Sequence, residues 1–250
     1  AGFYSSLDAD STGKEGCYYC WQPRKIQELL TSEEYKFIFE YFALNQAPNF
    51  GGKWHLRANQ TLEETALQLK MDEDRARQIY QSARLKLLAH RQARIPPGRD
   101  EKILTAWNGL VVKGLARAAQ ALLDSNLTTK AQGIVDFIRQ HLWQNKRLLA
   151  CYKEKEAYQM AFLDDYAFLL EGLLTLLQVE WRKEDFDFAL ELADALLIHF
   201  FDQAKGGFFF TAHDHEKVLQ RIKSFTDEAL PSGNASAIFS FVVLGYLLGN

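Results

Sequence analysis

The sequence predicts a mainly α fold, a partial α/α toroid of helical hairpins with short β-hairpins between repeats. Three observations carry it. A nearly apolar helical segment recurs after 58 residues, amphipathic helices fill the gaps, and short aromatic strand-like runs follow those helices.

The elements follow in chain order. Gly2-Phe-Tyr-Ser-Ser6 has the alternation of a short strand, and Asp10-Ser-Thr-Gly13 that of a turn. Glu33 to Phe42 sets Tyr35, Phe39 and Phe42 at helical spacing. Thr61 with Glu64 forms a capping box for a short helix. Asp72 caps a long basic helix to about Arg94, and Pro96-Pro97-Gly98 stops it. Ile103 to Leu115 then lies on Ala161 to Leu173 with Gly114 on Gly172, and a third copy starts at Ala229. These copies are apolar all round, as helices buried between others are. Thr129 to Trp143 and Asp185 to Phe201 are amphipathic, and each precedes a strand-like run, Arg147 to Tyr152 or Gly206 to Thr211. Gly2 to Ser6 resembles the second run. Open solenoids of helix pairs repeat about every 34 to 47 residues. The longer period leaves room for the hairpin and favours closure into a toroid, with the starts of the inner helices lining a central funnel.

The chain is expected to be one incomplete toroid domain over 1–250, since both ends read as cut. Its 250 residues, 48% hydrophobic, exclude disorder and a disulfide-built miniature. A net charge of −3 gives no general attraction to nucleic acid or anionic membrane. Three cysteines close no disulfide framework, and no signal peptide opens the chain, so a cytoplasmic location is expected. The apolar run Ala237 to Leu248 is too short to span a bilayer. Three N-x-S/T sequons carry no weight without a secretion signal.

Polar and aromatic residues gather at the inner-helix starts: Trp107 and Asn108; Asp164, Asp165 and Tyr166; Asp227, Glu228, Ser232 and Asn234. Asp, Asn and Ser also serve there as caps. Tyr166 and Trp107 do no capping, however, and carboxylates beside flat rings suit a sugar, whose hydroxyls bond to acids while its C–H faces stack. Asp164 and Asp165 are the candidate acid and base. Trp107 and Tyr166 are candidate stacking platforms, with Asn108, Asp227, Ser232 and Asn234 to orient hydroxyls. Asp8 and Asp10 are further funnel candidates or members of a turn. Cys17-Tyr-Tyr-Cys20 has redox spacing but sits in an aromatic, strand-like segment and does not open a helix. His213-Asp-His215 reads as a polar turn, so no metal and no cofactor are expected.

The segments Ser5 to Ser11, Tyr19-Cys-Trp21, Asn49-Phe-Gly-Gly-Lys53, Asp100 to Leu110, Phe162 to Phe168, Gly206-Gly-Phe-Phe209 and Pro231-Ser-Gly-Asn234 resemble, in order, the spermatogenesis-associated protein 20 (YyaL) family. The resemblance implies a six-hairpin glycosidase-like toroid, similar to N-acylglucosamine 2-epimerases, that follows a thioredoxin-like domain not present in this chain. It implies a sugar-type cavity without a named reaction, with a sugar or sugar-derived small molecule and the thioredoxin-like domain as partners. The family usually has Lys and Val where Cys17 and Cys20 stand. The epimerases use paired histidines, and no histidine here opens an inner helix, so carboxylate chemistry leads. The alternative is a non-catalytic scaffold working with the thioredoxin-like domain.

Overall fold

The computed structural model describes residues 2–216 and 219–249. Its contacts gather in two compact units, one of Leu7–Arg99 and one of Ala1–Ser6 with Asp100–Asn250.

In the Leu7–Arg99 unit, Asp10–Ser11 pairs with Lys14–Glu15 in a tight hairpin. Thr12 and Gly13 turn it with φ of 57° and 73°. Cys20–Trp21 pairs with Trp54–His55. Helix α1 (Pro23–Leu29) carries proline in its first turn, where the missing N–H costs nothing. Helices α2 (Ser32–Tyr41) and α3 (Leu62–Leu69) each begin with a complete capping box, Thr31 with Glu34 and Thr61 with Glu64. Asp72 caps α4 (Glu73–Gln92), accepting from the amides of Asp74 and Arg75. The core is Trp21, Ile26, Phe37, Ile38, Ala76, Ile79 and Leu87.

The second unit holds the repeat. Helix α5 (Thr105–Leu122) packs on α7 (Leu163–Leu177), and α7 on α9 (Gly233–Leu248). Helix α6 (Ser125–His141) backs α5, and α8 (Lys183–His199) backs α7. Inner and outer helices thus alternate as predicted, because α7 is apolar all round and buried over nearly its whole length while the outer helices bury one stripe. The inner pair meets backbone to backbone. A Cβ on Gly172 would lie 2.6 Å from the Gly109 carbonyl, and one on Gly109 2.6 Å from the Leu169 amide. Gly114, aligned with Gly172 in the repeat, meets nothing, so the two glycines are not equivalent in packing. Lys113 and Glu171, which are repeat equivalents, pair with each other at 2.6 Å.

After α6, Arg147–Lys153 pairs antiparallel with Glu156–Met160 and also with Ile103–Leu104 and Trp143–Gln144. Its turns place Asn145, Lys146, Glu154 and Lys155 at φ between 51° and 69°, the left-handed region a two-residue hairpin demands. After α8 the return is looser, with one bridge between Phe201 and Phe208. The mainly α hairpin fold with short β-hairpins between repeats is therefore the one the sequence predicts. Helix α9 exposes Ile238, Phe239, Val242, Tyr246, Leu247 and Leu248.

Candidate functional site

The starts of the three inner helices hold polar groups, and most are spent on backbone. The Asn108 side chain accepts the Phe3 amide at 2.7 Å and donates to the Phe3 and Leu104 carbonyls at 3.0 and 2.9 Å. Asn234 repeats the arrangement. It accepts the Phe208 amide at 2.7 Å and donates to the carbonyls of Phe208 and Ser224 at 2.9 and 3.0 Å. Each asparagine reads the phenylalanine of a Gly-Phe pair, Gly2-Phe3 or Gly207-Phe208. A Cβ on Gly2 or Gly207 would approach the asparagine oxygen to 2.9 or 3.3 Å, so glycine lets the strand lie close. In α7 the equivalent residue is Tyr166, whose hydroxyl accepts the Leu148 amide at 2.8 Å. All three are clamps between an inner helix and a strand-like segment.

This corrects several expected roles. Tyr166 is 0% exposed and offers no stacking face; its ring fills the core beside Phe200 and Trp143. Asn108 and Asn234 are buried with their polar atoms taken. Asp165 is buried too, with one oxygen on the Ala106 amide of α5 and the other on the Phe162 amide, each at 2.9 Å. Burial pushes its carboxyl up to about 7 against the two amides, and the neighbouring Asp164 charge adds to the rise. Its geometry is one half of a capping box, since Phe162 has no side-chain acceptor to return the bond, and its other oxygen ties α7 to α5. Ser232 caps α9 and donates to the Ser224 carbonyl, while Asp227 accepts the Ser232 amide at 2.8 Å. Trp107 is 43% exposed on the first turn of α5. In the other unit, Asp8 accepts the Asp10 amide at 3.1 Å and Asp10 belongs to the tight hairpin, which is the turn alternative. Cys17 lies in a turn after Gly16 and Cys20 on a strand, both free thiols, and burial pushes the Cys20 thiol up.

Asp164 differs from its neighbours. It is half-buried, makes no hydrogen bond among the described residues, and has its carboxyl raised by burial alone. Gly233 admits it: a Cβ there would sit 2.1 Å from an Asp164 oxygen, so the carboxylate lies against the first turn of α9. A cavity of about 450 Å³ opens at this point, lined by Asp164, Glu228, Ser224, Thr226 and Ser232 with Leu163, Phe210 and Ile222. Ser224 and Thr226 escaped the sequence reading because nothing in their spacing marks a helix start; they lie on the loop that precedes α9. Elsewhere in this unit, His199, His213 and Asp214 come together, whereas His215 turns away to the Ala161 carbonyl at 3.1 Å.

These features define the class: a mainly α helical-hairpin protein with one half-buried carboxylate left in an open, hydroxyl-lined cavity. No family model matches the chain. It is similar, at 28% identity over 285 aligned residues, to spermatogenesis-associated protein 20 of Homo sapiens and of Rattus norvegicus, covering 100% of this chain and 36% of each relative. An uncharacterized Caenorhabditis elegans protein matches at 28% over 94% of this chain and 36% of its own. The resemblance carried by the motifs is thus borne out along the whole chain, which spans about a third of these relatives. Among solved structures, cellobiose 2-epimerase from Spirochaeta thermophila DSM 6192 is similar with a TM-score of 0.48 at 12% identity, over 60% of this chain and 39% of that one. Cellobiose 2-epimerase from Bacillus thermoamylovorans B4167 gives 0.42 at 12%, over 76% and 60%. No helix among the described residues is long and apolar enough to cross a membrane.

Proposed function

We propose that the unit from Asp100 onward is part of a carbohydrate-handling α/α toroid in which Asp164 is the working acid. The observation that carries this is Asp164 itself, a carboxylate without a hydrogen-bond partner among the described residues, in a cavity rich in hydroxyls. A buried carboxyl is costly unless bonded, and every other acid at the inner-helix starts that is buried is bonded. Burial shifts Asp164 toward its protonated form relative to a carboxylate in water, the direction required of a general acid that gives a proton to a leaving or ring oxygen. Glu228 is the second carboxylate of the cavity, and Phe210 offers an apolar face for sugar C–H groups. Asp165 takes a positioning role in this scheme, since its oxygens are committed to the two amides. The volume falls within the range of about 300–1,000 Å³ usual for small-molecule sites.

A thermal-shift panel of mono- and disaccharides tests the proposal. A bound sugar at ten times its Kd adds about 1.4 kcal/mol, a readable shift. At least one sugar stabilises the protein, and Asp164→Ala abolishes that response. A flat panel overturns it and favours a scaffold for partners such as a thioredoxin-like domain, a reading that the exposed apolar face of α9 supports.

A further inference from the structure

We infer that His199, His213 and Asp214 form a binding site for a divalent transition-metal ion of the zinc class. They come from two stretches that the sequence separates. His199 ends α8, and His213 and Asp214 lie in the turn after the loose hairpin that returns from Phe201 to Phe208. That return brings the His213 amide onto the His199 carbonyl at 2.9 Å and stacks the imidazoles with centroids 5.2 Å apart and planes 12° from parallel.

One ligand atom from each of the three residues lies within 4.8 Å of the others. Tetrahedral zinc with bonds of 2.0–2.1 Å needs them about 3.3 Å apart. Small rotations of His213 and Asp214, both exposed, close that difference. Two details point to an ion beyond mere proximity. The Nδ1 of His199 is buried and has no hydrogen-bond partner among the described residues. The Nδ1 of His213 lies 3.4 Å from the His199 carbonyl, the outer contact that fixes a ligating imidazole with Nε2 left to the metal. The carbonyl end of α8 also favours a cation.

Arg147 opposes the ion electrostatically, but it bonds only the Oδ2 of Asp214 and leaves Oδ1 to coordinate. Held carboxylates of this kind are common around metal ligands. Two imidazoles and one carboxylate select zinc or cobalt over calcium or magnesium and leave positions for water. The site is separate from the Asp164 cavity, whose lining includes none of the three residues.

The test is a competition titration of the purified, metal-stripped protein with zinc sulfate against a chromophoric chelator, followed by cobalt(II) visible absorption. One equivalent of zinc binds, and cobalt gives a tetrahedral or five-coordinate spectrum. His213→Ala and Asp214→Asn, exposed positions that leave the fold intact by circular dichroism, weaken zinc binding tenfold or more. His215→Ala leaves it unchanged. Failure of the wild-type protein to bind zinc more tightly than about 1 µM, a limit still weaker than structural zinc sites reach, overturns the inference. So does unaltered binding in His213→Ala, or an equal loss in His215→Ala.

Discussion

Replacing Asn234 with alanine should cost far more than loss of a surface polar group. The side chain is fully buried and makes three hydrogen bonds, two of them to the amide and carbonyl of Phe208. Phe208 is itself 4% exposed, so water does not replace those bonds without opening the core. Each buried group left without a partner costs about 1–3 kcal/mol. The third bond goes to the Ser224 carbonyl, which keeps the Ser232 hydroxyl as a donor, so its loss adds little. The expected destabilisation is therefore about 2–5 kcal/mol. Asn234→Asp should be no milder, because a carboxylate keeps the acceptor for the amide but faces two carbonyls with no proton to donate. Urea unfolding followed by far-ultraviolet circular dichroism measures this, with the change read from the midpoint at constant slope. In a melt it corresponds to about 4–20 °C. Asn108→Ala, which removes the matching clamp on Phe3, should act in the same direction. A loss below about 0.5 kcal/mol in Asn234→Ala, the scatter of ordinary surface changes, would refute the clamp. A ligand-orienting asparagine would show that pattern instead, with stability kept and sugar response lost.

Two further outcomes follow from the packing and charges. Gly172→Ala drives a methyl to 2.6 Å from the Gly109 carbonyl, backbone that cannot rotate away. It should destabilise the α5–α7 pair by about 1–3 kcal/mol, while Gly114→Ala, in open space, should be neutral or stabilising by helix propensity. In the Leu7–Arg99 unit, burial alone would raise the Glu34 carboxyl, but the Lys86 ammonium, the Ser82 hydroxyl and Thr31 outweigh it and bring it down to about 2. The folded state thus prefers the ionised form. That stabilisation, on the order of 3 kcal/mol, is present above pH 4.5 and drains away as the pH falls toward 2. Glu34→Gln should flatten acid unfolding in that window, and an unchanged pH profile would contradict the assignment.

The repeat was legible because a helix buried on all sides must be apolar on all sides, and α7 meets that condition along nearly its whole length. Caps were legible for the same reason of local chemistry: Thr61 and Asp72 satisfy amides within three residues of themselves. The destination of Asn108, Tyr166 and Asn234 was not legible. A polar residue at an inner-helix start looks the same whether it faces a cavity or the backbone of a strand 18 to 105 residues away. The partner of Gly172 was hidden likewise, since sequence symmetry names Gly114 while the helix crossing selects Gly109. His213-Asp-His215 reads as a polar turn in the sequence and is one in the structure, but nothing local shows that the return from α8 sets His213 beside His199.

The division of labour between two adjacent acids is the centre of the account, and one comparison tests it most directly. The stability and sugar response of Asp164→Ala and Asp165→Ala should be measured side by side at pH 7. Asp164→Ala removes a carboxylate with no hydrogen-bond partner among the described residues, so stability should stay within about 0.5 kcal/mol or rise, and the sugar-dependent shift should vanish. Asp165→Ala orphans the Ala106 and Phe162 amides and should lose about 2–4 kcal/mol. The reverse pattern, an unstable Asp164→Ala beside a stable Asp165→Ala, would contradict the account.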